Sequence, residues 1–186
     1  MLHFSYVVNS LPNSCTATPL PETIQTIYHA MSTLFPRWPH ILFGIFEPIS
    51  LLLGWAAPLV DLDSFIAGQT PKVAAPTSLH PSSVALAYQL GNVYLLLLLV
   101  GVGVCYTTSE PKVLRNYLIA LAIADVGHIY ATYVAMRWEA FVDVSSWNVL
   151  TWGNIGASGF LFVNRIAYLM GVFGYPKRSK GEVKRS

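Results

Sequence analysis

The chain has 186 residues, which is enough for one domain, and its formal net charge is +2. It is 54% hydrophobic and 11% charged, whereas an ordinary soluble domain carries about 25% charged residues. This composition argues against a soluble domain, and the lack of a basic face interleaved with aromatic residues argues against nucleic-acid binding.

Residues 1–39 form an N-terminal segment, and its first 14 residues lack the basic flank and long apolar core of a secretory signal. Within it, residues 22–34 show a weak pattern that is compatible with a short helix lying on the membrane surface. Cys15 in this segment and Cys105 in a later apolar run predict neither a metal-ligand pair nor a convincing disulfide.

Four later segments approach the roughly 20 mainly apolar residues that a helix needs to cross the hydrocarbon core. They cover residues 41–60, 84–105, 114–136 and 155–174. We therefore expect an all-α polytopic membrane protein, with a four-helix transmembrane bundle over residues 40–175. A basic tail follows at residues 176–186.

The connections between these spans differ in character. Residues 61–83 are rich in proline and predict a loop. The connection over residues 137–152 contains Trp138, Phe141, Trp147 and Trp152, and such aromatics are typical of a segment at headgroup level.

Basic residues near the span ends predict the orientation. An even number of spans places on one side Arg37, Lys112, Arg115, Lys177, Arg178, Lys180, Lys184 and Arg185. The opposite side holds only Lys72 and Arg137. This asymmetry predicts that both termini are cytoplasmic, and the endoplasmic reticulum is the default membrane in a eukaryotic cell.

The strongest functional signal is a set of ionisable residues inside the predicted spans. A charged side chain at the centre of a membrane helix costs about 2.5–3.5 kcal/mol on insertion scales. Such residues must therefore face each other, water or a substrate. The set consists of Glu47, Asp125, His128 and Arg165.

Helical spacing indicates that these residues share one polar region with uncharged neighbours. Asp125 and His128 are three residues apart and lie on one helix face. Each span offers a polar stripe, which predicts a central polar cavity. The candidate substrate-binding residues are Gln89, Asn92, Tyr94, Trp152, Asn154 and Arg165. Interhelical hydrogen bonding is the structural alternative for these groups, and Trp152 also suits an interfacial anchor.

Two buried carboxyl groups suggest acid–base chemistry. In low dielectric a carboxyl group resists ionisation, whereas a nearby cation keeps it ionised. Two acids in such different environments form a general acid and a general base. Glu47 is the candidate acid and Asp125, beside His128, the candidate base, although the assignment could be reversed. The sequence shows no Ser-His-Asp order and no metal-binding His-Glu-x-x-His pair.

Three segments resemble a group of small fungal membrane proteins, many of them catalogued only as a domain of unknown function. These segments are residues 42–50, 123–128 and 147–154. The nearest functional analogy is with the membrane epoxide hydrolases of aurovertin and citreoviridin biosynthesis. It implies cofactor-independent opening of a lipophilic polyene epoxide in secondary metabolism. Glu47 and Asp125 would carry the reaction, His128 and Arg165 would tune them, and Asn92, Tyr94 and Asn154 would position oxygen atoms.

Other functions stay open at this point. A membrane-bound terpene cyclase would use the same acid with aromatic side chains that stabilise cations. A non-enzymatic sterol or lipid binder would need a polar anchor without proton transfer, and a transport or scaffold subunit is a further alternative. In each case the bilayer is a partner, whereas the oligomeric state is open.

Overall fold

The computed structural model describes residues 33–71 and 77–174, and every regular element in these stretches is helical. The predicted surface helix at residues 22–34 lies outside this part, except for Thr33 and Leu34, which are not helical. The basic tail at residues 176–186 also lies outside it.

Five helices make up the described fold. They are α1 (Arg37–Val60), α2 (Leu62–Gly68), α3 (Pro81–Thr107), α4 (Pro111–Val142) and α5 (residues 149–169). Three of them, α1, α3 and α4, are long and apolar enough to cross a membrane. These helices support the membrane assignment, since their apolar surfaces are largely unburied within the chain itself.

The long helices are longer than predicted because local sequence signals start them earlier. Pro81 and Pro111 occupy the first turns of α3 and α4, where proline's missing N–H costs no hydrogen bond. The side chain of Asn148 accepts a hydrogen bond from the Thr151 N–H, so α5 begins well before residue 155. The chain then turns at Gly171, whose φ is 82°, rather than continuing to residue 174.

The prediction of a loop over residues 61–83 was wrong for its first part, which forms α2. The Asp61 side chain caps this helix by accepting a hydrogen bond from the Ser64 N–H at 3.0 Å. This bond favours the ionised form and lowers the pKa of the Asp61 carboxyl below its usual range.

The connection over residues 137–152 is also more ordered than predicted. The helix α4 continues to Val142 across a kink at Arg137, whose φ of 63° is left-handed and rare outside glycine. A 3₁₀ turn, Val144–Ser146, follows the helix. The Trp147 side chain donates to the Ala140 carbonyl at 3.3 Å, so the aromatic connection folds back onto the end of α4.

The helices pack in two principal pairs, α1 with α3 and α4 with α5. Within the first pair, Tyr94 of α3 lies over Gly54, and Pro58 lies against Gly91. The hydrophobic core lies where α1, α3, α4 and α5 meet, near the start of α1. It consists of Phe35, Leu42, Phe43, Cys105, Leu114, Leu118, Leu161 and Tyr168.

Two helices contain a π-helical segment, His40–Phe46 in α1 and Trp152–Ala157 in α5. Such segments shift the hydrogen-bonding register and are often found at functional sites. In α1, the Gly44 carbonyl accepts a hydrogen bond from the Tyr106 hydroxyl at 2.8 Å, and His40 Nε2 lies 3.3 Å from the same hydroxyl. A side chain of α3 thus supports the irregular turns that precede Glu47.

Candidate functional site

Glu47 follows directly after the π-helical segment of α1 and is 7% exposed. The adjacent Pro48 lies inside α1 and lacks an N–H, so it cannot donate a helical hydrogen bond to the preceding π-helical turns. The glutamate side chain therefore points into the protein from a defined turn of α1. This position agrees with the prediction that Glu47 faces the interior.

Arg165 is completely buried and connects α5 with two other helices. One terminal nitrogen, Nη2, donates to Oε1 of Glu47, and the other, Nη1, donates to Oδ2 of Asp125. The ring of Phe43 lies 5.4 Å from the guanidinium carbon, as in a cation–π contact. We call Glu47, Asp125 and Arg165 the polar triad.

The charge balance of the polar triad determines what it can do chemically. One guanidinium faces two carboxyl groups, whose side chains are only 10% and 12% exposed. Arg165 stays protonated, so the triad is neutral only when one carboxyl group keeps its proton. The arrangement can therefore hold an acid and a conjugate base on opposite sides of one cation.

His128 belongs to a second cluster, which we call the amide network. Its Nε2 atom lies 3.2 Å from Oδ1 of Asn154, and Nδ2 of Asn154 donates to Oε1 of Gln69 at 3.1 Å. The backbone carbonyl of His128 also accepts from the Thr132 hydroxyl. The amide network thus joins α4, α5 and the end of α2, while Asp125 lies one turn away from His128.

Tyr94 lies beside the amide network rather than in the polar triad. Its ring meets the imidazole of His128 edge-on, with 6.3 Å between ring centroids. The same ring covers Gly54, where a Cβ added to the glycine would lie 2.9 Å from a ring carbon. Tyr94 is therefore placed by close packing between α1 and α3.

Three other candidates lie outside both clusters. Gln89 and Asn92 are exposed on the surface of α3, so the predicted polar stripe of this helix does not face the interior at these positions. Trp152 is 51% exposed, and its ring contacts that of Trp147 at a centroid distance of 5.0 Å. This arrangement is typical of an interfacial anchor.

The predicted central polar cavity stays a prediction, since neither of two pockets among the described residues is lined by the polar triad. A groove of about 420 Å³ runs between α4 and α5 and has an apolar lining of Ile119, Ala122, Ile123, Val126, Phe162, Ile166 and Leu169. A smaller pocket of about 220 Å³ lies near α2. The two acids and the arginine of the triad bond to each other.

Sequence reasoning missed the role of Gln69, because it falls in a stretch that was predicted to be an irregular loop. His40 lies just before the predicted first span, and its contact with Tyr106 was also missed. Among the residues that the structure describes, no group of three or more His, Cys, Asp or Glu side chains is arranged to hold a metal ion.

Comparison with known proteins identifies a family for this chain, and that family has no described activity. No curated protein and no solved structure matches the chain. A family model described as a domain of unknown function, DUF7704, matches residues 32–175. This match covers most of the chain, including the polar triad and the amide network, and the chain therefore belongs to the DUF7704 family.

Proposed function

We propose that this chain is an integral membrane enzyme that opens an epoxide on a lipophilic substrate by carboxyl acid–base catalysis. The observation that carries the proposal is the polar triad, in which Arg165 bonds both Glu47 and Asp125. Ionisable groups inside membrane helices are costly and usually functional. Two acids around one cation exceed what charge neutralisation alone requires.

The reaction needs one proton donor and one proton acceptor. The protonated carboxyl group gives its proton to the epoxide oxygen while the carbon–oxygen bond breaks. The carboxylate takes a proton from water, whose oxygen forms the new bond to carbon. The product is a diol, and the two carboxyl groups return to their starting states when the proton passes between them. An internal hydroxyl in place of water gives a cyclic ether.

In this proposal Glu47 is the acid and Asp125 the base, and Arg165 holds them in opposite protonation states. His128 lies one turn from Asp125 on α4 and would tune the Asp125 carboxyl group through its charge. Asn154 and Tyr94 orient His128 through the contacts described above. No cofactor is required by this chemistry.

The proposal includes a four-helix transmembrane bundle in which α5 is the fourth span. At about 1.5 Å per residue, residues 149–169 extend about 30 Å, which is the thickness of the hydrocarbon core. With four spans both termini face the cytoplasm, as the basic residues predict. The endoplasmic reticulum and a fungal secondary-metabolite pathway, with a polyene epoxide as substrate, belong to the same proposal.

The experiment is a microsomal assay with a polyene epoxide, with products identified by mass and NMR. It compares the wild type with Glu47→Gln and Asp125→Asn, which keep size and shape but remove the exchangeable acid. The matched controls are Glu110→Gln and Asp63→Asn, because these acids are exposed and outside the triad. Expression and monodispersity in detergent are measured for every variant.

We expect turnover by the wild type and both controls, and at least a hundredfold loss in each triad variant, because acid–base groups typically contribute about 10²–10⁴-fold. Folded triad variants with wild-type turnover would overturn the proposal. Carbocyclic products would instead assign the chain as a terpenoid cyclase that uses the same acids.

The apolar groove between α4 and α5 favours a second candidate function, the non-enzymatic binding of a sterol or another lipid. Its lining is entirely hydrophobic, and its volume of about 420 Å³ is in the range of small-ligand sites. In that case Glu47→Gln would leave ligand affinity unchanged, and the wild type would convert none of the epoxides offered.

A further inference from the structure

The first turns of α1 contain a break in regular backbone hydrogen bonding beside Glu47. In a regular α-helix the carbonyl of Gly44 accepts from the N–H of the residue four positions later. That residue is Pro48, which has no N–H, so α1 itself cannot supply this donor. The backbone widens into π-helical turns here, and the Glu47 N–H bonds the carbonyl of Leu42, five residues back.

A side chain of α3 supplies the missing donor. The Tyr106 hydroxyl donates to the Gly44 carbonyl at 2.8 Å. A tyrosine hydroxyl has one proton, so the contact of 3.3 Å between its oxygen and His40 Nε2 is a bond that the imidazole donates. The two rings meet edge-on, with 5.7 Å between centroids. His40 thereby holds the hydroxyl in the direction in which it reaches Gly44.

Close packing leaves room only for glycine at this point of contact. A Cβ added to Gly44 would lie 2.8 Å from a ring carbon of His40 and 3.0 Å from the Tyr106 hydroxyl oxygen. Both distances are shorter than an ordinary van der Waals contact. A larger residue at position 44 would therefore push the two side chains away from α1.

The π-helical register decides the direction in which Glu47 points. One residue corresponds to about 100° around a helix axis, so a shift of one residue carries a side chain from one face of α1 to another. With the observed register, Oε1 of Glu47 accepts from Arg165 Nη2, and the ring of Phe43 lies 5.4 Å from the guanidinium carbon. Both of these contacts from α1 therefore depend on the turns around Gly44.

We propose that Tyr106 is a positioning residue for Glu47. Its hydroxyl takes the place of the proline N–H that α1 lacks, and it holds the π-helical turns from which Glu47 reaches Arg165. Tyr106 acts through the backbone of α1, since its hydroxyl proton goes to the Gly44 carbonyl. Its contribution to epoxide opening rests on the proposed function, whereas its effect on the contact between Glu47 and Arg165 does not.

The first experiment measures melting temperatures of the purified full chain in detergent. Tyr106→Phe removes the hydroxyl and keeps the ring, and it is made both alone and together with Glu47→Met. The matched control is Thr107→Val, because the Thr107 hydroxyl also donates to a helix carbonyl, that of Gly103 at 2.6 Å. Gly44→Ala is a second probe, since its Cβ would displace the Tyr106 hydroxyl.

We expect Tyr106→Phe to lower the melting temperature by about 2–4 °C, the shift usual for one lost hydrogen bond in a chain of this size. In the Glu47→Met background the loss should be clearly smaller, because the contact that Tyr106 positions is already absent. Thr107→Val should cost the same in both backgrounds. Equal losses in the two backgrounds for Tyr106→Phe and for Gly44→Ala would overturn the proposal, since independent structural bonds give additive effects.

The second experiment is the microsomal assay with a polyene epoxide. Tyr106→Phe should lower kcat by about 10–10²-fold with KM unchanged, because a displaced acid slows the chemical step without weakening binding. Thr107→Val should keep the wild-type kcat. A wild-type kcat in folded Tyr106→Phe would overturn the role in the reaction. Absent turnover by the wild type, together with non-additive melting temperatures, would overturn the enzyme proposal alone.

Discussion

Arg165 is the residue on which the interior of this protein depends most. Its guanidinium has no exposed surface, and it bonds one carboxyl group on α1 and another on α4. A buried ion is tolerated only when its partners compensate for lost hydration. Removal of Arg165 therefore leaves two acids without a cation, whereas removal of one acid leaves the remaining pair balanced.

We expect Arg165→Met to lower the free energy of unfolding by about 3–5 kcal/mol, the usual cost of leaving a buried charge unpaired. The unfolding free energy of Arg165→Lys should fall between those of the wild type and Arg165→Met, because one ammonium cannot reproduce the two-sided contact of a planar guanidinium. Unfolding in mixed detergent micelles measures both. The control is the triple variant with Glu47→Gln and Asp125→Asn, which should recover most of the loss. If Arg165→Met alone is as stable as wild type, the triad has no structural role.

Two tyrosine hydroxyls with opposite environments allow a second test at the residue scale. The Tyr106 hydroxyl donates to Gly44, so Tyr106→Phe should cost about 0.5–1.5 kcal/mol of unfolding free energy. Tyr168→Phe removes a buried hydroxyl that has no partner among the described residues, so it should be neutral or stabilising. The same micelle unfolding measures both. A larger loss for Tyr168→Phe would mean that its hydroxyl has a partner within the folded chain.

At the scale of elements, close approach between α1 and α3 positions the polar groups. Tyr94 of α3 packs over Gly54, and its ring reaches His128. Gly91 approaches Pro58 in the same way, one turn further along the pair. Small residues at such crossings let membrane helices pack through van der Waals contact. The packing of the first helix pair is thus linked to the amide network on α4.

We expect Gly54→Ala to cost about 1–3 kcal/mol of unfolding free energy, because the new Cβ would lie 2.9 Å from the Tyr94 ring. The matched control is Gly103→Ala on α3, where a Cβ meets no atom within 4 Å. Unfolding in micelles should separate the two variants clearly. Equal stability of both would show that the Tyr94 ring moves aside at little cost.

On the scale of the whole molecule, side chains at two positions along α5 bond it to the other helices. Arg165 bonds α1 and α4, while Asn154 bonds His128 on α4 and Gln69 after α2. Asn148 adds a hydrogen bond of 2.9 Å to the Gly68 carbonyl. These bonds hold α5 against α1, α4 and the end of α2, as the proposed fourth crossing of the bilayer requires.

Single cysteines placed at Ser78, Ser109 and Ser186, in a background without Cys15 and Cys105, test this topology. With four spans, the introduced cysteines of Ser109→Cys and Ser186→Cys should react with a membrane-impermeant thiol reagent from one side of the membrane. The cysteine of Ser78→Cys should react from the other side. Labelling in intact and permeabilised microsomes gives the answer. Labelling of Ser186 on the same side as Ser78 would mean that α5 does not cross.

Much of the helical architecture could be predicted from the sequence, since apolar length and proline signals act locally. The three segments that gave α1, α3 and α4 were identified, although the starts of α3 and α4 were misplaced, since these helices begin at Pro81 and Pro111. The helix α2 was missed because the prolines that follow it led to the whole stretch 61–83 being predicted as a loop, although Asp61 caps a helix at its start. The positive φ at Arg137 was not predicted, because the residue is not glycine and no turn sequence surrounds it.

The sequence by itself determined that charged groups must be buried together, because Glu47, Asp125 and Arg165 fall within apolar helices where isolated charges are costly. Only the tertiary structure decided how they pair. Helical spacing fixes which residues share a face, but not which faces of separate helices meet. The packing of the helices decides that Arg165 bonds both acids and that His128 bonds Asn154 instead. It also brings Gln69, at the end of α2, into the amide network. Gln89 and Asn92 are left exposed on the surface of α3.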